Sequence, residues 1–134
     1  MTENEELIRH GYDAWNRGDW ERMEELFAPD FEVDATDRVL NPASYRGIDG
    51  FRRMAAEMFE IWDSWLIEPE EFVERGDRVF VTHRIRARGK GSGLELEQIY
   101  SSVWTIRDGL AVKLALFVDR ERARAAAGLP RDVA

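Results

Sequence analysis

The sequence predicts an α+β fold, a cone in which three N-terminal helices pack on a curved, mainly antiparallel sheet and a short helix ends the chain. Three observations carry this. Apolar residues recur at helical spacing through most of the first half. The second half is a run of alternating, strand-like segments with only turn signals between them. The chain has 134 residues and a 44% apolar fraction, which fits one domain over residues 1–134 with a sizeable core. Helices first and strands later is an α+β order, and strands joined by short turns pair antiparallel. A long twisted sheet curls, and helices over its concave side leave a cavity at the wide end.

Thr2 and Glu5 have capping-box spacing, and Leu7, Ile8, Gly11, Ala14 and Trp15 form the apolar stripe of a first helix. Asn16-Arg17-Gly18-Asp19 breaks it. Asp19 can cap a second helix over Trp20 to Phe27, which Pro29 stops. Phe31, Val33 and Ala35 alternate with Glu32 and Asp34, as in a short strand. Residues 36–46, with Asn41-Pro42, read as a loop. Gly47 to Trp62 is a third helix with Phe51, Met54, Ala55, Met58, Ile61 and Trp62 on one stripe. Strands follow at about 64–74, 78–88, 94–106 and 110–118. Arg75-Gly76-Asp77, Gly89-Lys90-Gly91-Ser92-Gly93 and Arg107-Asp108-Gly109 separate them. Asp119 can cap a last helix that ends at Gly128, with Pro130 beyond.

Composition excludes several functions. There is no cysteine, hence no disulfide, Cys-based metal site or thiol nucleophile. The formal charge of −8 argues against nucleic acid, whose binding rests on neutralising phosphates. No apolar run approaches the roughly 20 residues of a membrane span. The acidic start of the chain shows no secretory signal, so the expected compartment is the cytoplasm. Two histidines far apart in sequence give no metal site. No phosphate loop, nucleophile elbow or dinucleotide fingerprint is present, and no cofactor is expected.

The strand at 94–106 bears most on function. Successive side chains of a strand point to opposite faces. One face therefore carries Leu94, Leu96, Gln98, Tyr100, Ser102, Trp104 and Ile106, apolar at both ends with three hydrogen-bonding side chains between. A ligand pocket has this pattern, an apolar wall with a few polar groups fixing orientation. A sheet face whose Gln98 and Ser102 find local partners or water has it too.

The chain resembles the SnoaL-like branch of the NTF2-like (cystatin-like cone) superfamily. Tyr12-Asp13-Ala14-Trp15-Asn16-Arg17-Gly18-Asp19-Trp20 and Leu26-Phe27-Ala28-Pro29-Asp30-Phe31 look like its opening. Tyr45-Arg46-Gly47-Ile48-Asp49-Gly50-Phe51 resembles the start of its third helix. Val103-Trp104-Thr105-Ile106-Arg107-Asp108-Gly109, with Val118-Asp119-Arg120, resembles its last hairpin and exit. The resemblance implies the cone fold and a small-molecule site, in a superfamily that includes ketosteroid isomerases, scytalone dehydratase and polyketide cyclases. It does not carry the chemistry over. Ketosteroid isomerases pair an aspartate base with an oxyanion hole of a tyrosine and a protonated aspartic acid. Those three positions fall on Gly11, Ala35 and Ser102. Of the scytalone dehydratase groups, the first-helix pair falls on Trp15-Asn16, a tyrosine on Ala35 and one histidine on Ser102. Only its other histidine survives, at or beside His83.

His83 shares the apolar face of its strand with Val79, Val81 and Ile85. A histidine there can act as a general base, its ordinary pKa being about 6.5, or can be a neutral residue bonded into the core. Tyr100 could donate to a carbonyl or enolate, or to a local partner. Tyr12, Trp15, Met58, Trp62, Trp104, Leu114 and Leu116 are the expected pocket lining, although aromatics at such spacing also build plain cores. Asp34 is out of phase with its apolar neighbours and reads as a solvated charge. Arg84, Arg86 and Arg88 occupy the outer face opposite Glu95 and Glu97, and His10 is exposed beside Arg9.

The expected function is a pocket for a mostly apolar small molecule. It would serve either a cofactor-independent lyase, isomerase or cyclase with His83 as base and Tyr100, Gln98 and Ser102 orienting the substrate, or a non-catalytic binding module. A dimerisation module with a vestigial cavity is the third reading. Ile99, Val103 and Thr105 make the outer face apolar, which with the superfamily's habit of pairing sheet to sheet predicts a homodimer through the convex face.

Overall fold

A computed structural model describes residues 2–37 and 43–131. Helix α1 (Glu3–Arg17) starts where Thr2 accepts a hydrogen bond from the Glu5 amide at 3.1 Å. It ends at Gly18, whose φ of 71° is the left-handed cap that glycine adopts without strain. Asp19 caps α2 (Trp20–Glu24). That helix is shorter than its stripe suggests. The Ala111 amide donates to the Leu26 carbonyl and Phe27 pairs with Ala111, so the sheet captures the chain before the helix reaches Phe27.

Strand β1 (Phe27–Ala35) therefore includes Pro29. Strand β2 (Ala43–Arg46) lies in the segment expected as a loop. It pairs antiparallel with β1, Val33 opposite Tyr45, and Tyr45 is buried with its hydroxyl donating to Glu57 at 2.9 Å. Asn41-Pro42 lie outside the described residues. Helix α3 (Gly47–Ile61) runs directly into β3 (Trp62–Arg75), followed by β4 (Arg78–Gly89), β5 (Glu95–Arg107), β6 (Leu110–Phe117) and α4 (Arg120–Ala126).

The six strands form one mixed, open sheet in the order β2-β1-β6-β5-β4-β3. All neighbours are antiparallel except β1 and β6, which run parallel. Register shifts in β3 on either side of its Ser64–Pro69 stretch mark bulges, which bend a strand and increase its twist. The inner face is covered by α1 and α3. Its core holds Phe31, Val33, Phe51, Val79, Val81 and Trp104. The Asn16 side chain ties α1 to the outermost strand, donating to the Ile67 carbonyl at 2.7 Å and accepting from the Ile67 amide at 2.8 Å.

On the opposite face, α4 lays Ala123 and Ala127 against Phe80 and Val103. This corrects the expected apolar outer seam. Val103 is covered by a helix of its own chain, and of the three residues expected there Ile99 is the exposed one.

Candidate functional site

The Gly-rich turn after β4 fixes the register of the hairpin it closes. Arg88 faces Glu95, so His83 faces Tyr100 and Val81 faces Ser102. With β3 and β6 added, the inner face becomes a ladder of rows. Trp65, Ala87 and Leu96 form the first. Ile67, Ile85 and Gln98 form the second, and Pro69, His83 and Tyr100 the third. Phe72, Val81, Ser102 and Leu116 make the fourth, and Val79, Trp104 and Leu114 the fifth. The β5 members grade along this ladder. Trp104 and Ser102 are buried, while Tyr100, Gln98 and Leu96 are half-buried. Glu95 and Glu97 lie exposed on the other face.

His83 stands where the sealed rows meet the half-open ones. It is 4% exposed. Its Nε2 lies 2.6 Å from the Ser102 hydroxyl, the diagonal neighbour across the strand pair. Its Nδ1 is buried with no hydrogen-bond partner among the described residues. Burial disfavours the charged form and holds the His83 pKa at about 4, so the imidazole is neutral near pH 7. Tyr12 of α1 stands beside it, ring centroids 5.7 Å apart. The Tyr12 hydroxyl accepts from Trp104 Nε1 at 2.9 Å, with Ser102 nearby. Burial pushes the Tyr12 phenol well above its ordinary value, against the smaller pull of Trp104 and Ser102. Tyr100 lies on the open side of His83, its ring 6.5 Å away, and its hydroxyl donates to Gln98 at 3.1 Å.

The structure thus brings Tyr12, His83, Tyr100, Ser102 and Trp104 together. Gln98 joins them through Tyr100. Trp15 is elsewhere. Its indole donates to the Trp65 carbonyl at 2.8 Å and its ring packs on Trp20, Phe51 and Phe59. Trp62 packs on Trp65 at the junction of α3 and β3, and Met58 is half-buried near the end of α3. Leu114 is buried beside Trp104, and Leu116 is half-buried beside Ser102. Asp34 points away from the core and accepts from the Thr36 amide and hydroxyl.

The sequence suggested a cavity at the wide end, and the opposite, sealed end of the ladder is packed. Tyr12, Trp104, Phe31 and Phe27 fill it. The void left between Leu7, Ile8, Gly11, Leu26, Phe27, Trp104 and Ala111 is about 10 Å³, space for one water at most. Any larger ligand on this face has to enter from the half-open rows. A second concavity, about 370 Å³, lies on the outer face across Arg46, Glu32, Lys113, Thr105 and Arg78. Arg46 there pairs with Glu32 and Arg107 with Asp77. Among the described residues no group of three or more His, Asp or Glu is placed to hold a metal ion.

Sequence reasoning named Tyr12 as lining but missed the link that sets it beside His83, itself bonded to Ser102. The strand part of that link was available. A hairpin closed at Arg88 and Glu95 puts His83 beside Tyr100 and one diagonal from Ser102. The helix part was not, because nothing local says which turn of α1 lies over which row.

Comparison with known proteins agrees with this architecture. The profile of a family described as a SnoaL-like domain matches residues 8–114. An NTF2-like protein of unknown function from Burkholderia pseudomallei K96243 superposes with a TM-score of 0.79 at 22% identity, over 93% of this chain and 97% of that one. TerC, co-crystallised with polyporic acid, gives 0.79 at 22% identity, over 95% and 99%. A hypothetical protein with a ketosteroid isomerase-like fold from Catenulispora acidiphila DSM 44928, in complex with trimethylamine, gives 0.75 at 16% identity, over 93% and 94%. At these identities the likeness is one of fold. Among curated proteins none matches the sequence.

Proposed function

The chain belongs to the SnoaL-like domain family, and from that premise we propose that it binds a mostly apolar, weakly polar small molecule at the half-open end of the inner sheet face. The observation that supports this reading is His83. A buried nitrogen without a partner costs roughly 1–3 kcal/mol of desolvation, a cost that a ligand group supplying the missing hydrogen bond would remove. The rows beyond His83 supply an apolar wall in Trp65, Ile67, Ile85 and Leu96, and Tyr100 with Gln98 form a polar rim. Two structural relatives hold small molecules, polyporic acid and trimethylamine. Catalysis of the lyase, isomerase or cyclase type is the second reading, favoured by the neutral imidazole hydrogen-bonded to Ser102. A homodimer through the outer face and residence in the cytoplasm belong to the same proposal. No helix among the described residues is long and apolar enough to cross a membrane.

The test is a titration of isotope-labelled protein with small aromatic and alicyclic compounds, read at the His83, Tyr100 and Gln98 side chains. The expected result is saturable shifts at all three that His83→Phe abolishes while its backbone spectrum stays folded. Saturable binding that leaves all three unmoved overturns the proposed site.

A further inference from the structure

One row of the outer sheet face crosses five strands, through Arg46, Glu32, Lys113, Thr105 and Arg78. Beside it two strand pairs lose register. From Phe27 to Glu32 strand β1 advances five residues while β6 advances two, and against β5 strand β6 carries Val112 as an extra residue. Pro29 lies in the wide part of β1, where its missing N–H costs no ladder bond. Bulges bend a strand and re-aim its side chains. Here Val112 and Lys113 both line the concavity of about 370 Å³. Small-molecule sites run from about 300 to 1,000 Å³. The charge of this lining opposes that of the chain. Four cations, Arg46, Arg78, Arg107 and Lys113, stand with two carboxylates, Asp30 and Glu32, in a protein of formal charge −8. Lys113 is half-buried and, among the described residues, makes no hydrogen bond or ion pair. Its charge reaches Asp34, whose carboxyl Thr36, and to a smaller extent Lys113, holds below the ordinary value. The arginines keep donors in reserve. Arg107 commits its Nε to Asp77 at 3.4 Å, and Arg78 one terminal nitrogen to the Ala126 carbonyl at 2.7 Å. A guanidinium has five N–H donors in a fork that matches carboxylate and phosphate oxygens.

We propose that this outer-face concavity binds a small dianion, a phosphate ester or a dicarboxylate, with Lys113, Arg78 and Arg107 on its anionic oxygens and the Thr105 hydroxyl beneath it. Asp30 and Glu32 belong to β1, and Glu32 is matched by Arg46 at 3.7 Å. They repel an anion from that side, so it is held over β4, β5 and β6. A concave surface with one sign of charge in excess focuses the field and raises the local concentration of the opposite ion. The chain as a whole repels anions, and this spot collects them. The site is independent of the inner-face one. It is also separate from the exposed Ile99 on the same sheet face. Thr105 stands six residues further along β5, roughly 20 Å at about 3.4 Å per residue, and α4 covers Val103 between the two.

The test is a titration of isotope-labelled native protein with glycerol 3-phosphate, succinate and uncharged glycerol, read at the backbone amides of Arg78, Thr105 and Lys113. In about 0.1 M salt exposed charges act over roughly 10 Å, which limits the response to nearby groups. Saturable shifts at all three amides with at least one dianion, and none with glycerol, are expected. The tighter of the two dianions tells a phosphate ester from a dicarboxylate. Lys113→Ala deletes a charge-assisted hydrogen bond and should weaken binding about tenfold or more. Lys90→Ala removes the same charge at the opposite end of β4 from Arg78 and should leave the affinity unchanged. An equal loss in the two variants means that net charge and not the concavity holds the anion, and overturns the proposal. So does the absence of a saturable shift with either dianion. Shifts at Thr105 and Lys113 that grow with protein concentration alone assign the concavity to a second copy of the chain, and overturn it as well.

Discussion

His83 has one ring nitrogen bonded and the other bare, and its burial makes it a pH sensor for folding. Its pKa is about 4 in the folded chain against 6.5 when unfolded. A depressed value means that the unfolded chain accepts a proton the folded chain refuses. The benefit of keeping His83 neutral is therefore complete above pH 6.5 and is lost as pH falls towards 4. The gap corresponds to about 3 kcal/mol across that window. Urea unfolding at a series of pH values from 7 to 4 should show the loss, and His83→Gln should flatten it. Glu24 and Asp34, whose carboxyls Arg52 and Thr36 hold below their ordinary values, shape a separate loss at lower pH. An undiminished slope between pH 6.5 and 4.5 in His83→Gln would assign the proton uptake to other groups. At this scale the sequence was informative about identity and silent about environment. Period two put His83, Tyr100 and Ser102 on one face, but only the packing of α1 shows Tyr12 against two of them and Tyr100 on the open side.

Elements held by their own periodicity were legible, and those held by a distant partner were not. Helices α1 and α3 and strands β4 to β6 follow their stripes and turns to within about two residues, where assignment is loose in any case. Strand β2 has four residues, one of them buried, too few to show alternation, and exists because β1 offers it an edge. The parallel pairing of β1 with β6 leaves no mark in either segment, since it depends on how the helices route the chain. Asn16 is a comparable case. It sits in what reads as a helix-breaking tetrapeptide, yet its amide satisfies both backbone groups of Ile67 on the open edge of β3. An unpaired edge is a template for unwanted pairing, and this side chain blocks one position of it. Asn16→Ala should lower stability by about 1–2 kcal/mol in urea unfolding and speed amide exchange at Ile67. Protection at Ile67 equal to the native level would show that the edge is held by other contacts.

Across the whole molecule, the two sheet faces divide the work, and the outer one bears on how copies meet. The sequence suggested a continuous apolar seam of Ile99, Val103 and Thr105. Instead α4 covers Val103 and Phe80, and the exposed apolar residues nearby are Ile99 at 49% and Leu66 at 46%. They lie in rows Glu68–Arg84–Ile99 and Leu66–Arg86–Glu97, with Arg84 paired to Glu70 and Glu97 and Arg86 to Glu68. Such pairs contribute about 1 kcal/mol or less while solvated, and burying them costs several kcal/mol per ion. A homodimer on this face therefore has to seat Leu66 and Ile99 against the partner and leave the ion pairs at a wet rim, which makes it a moderate association that salt perturbs little. Light scattering at micromolar concentration should give twice the chain mass of 15.6 kDa, and Ile99→Arg should return the single-chain mass. That substitution adds a third arginine next to Arg84 and Arg86 and removes one of the two apolar contacts. A native protein that already scatters as one chain at that concentration overturns the dimer, and a dimer indifferent to Ile99→Arg moves it to another surface.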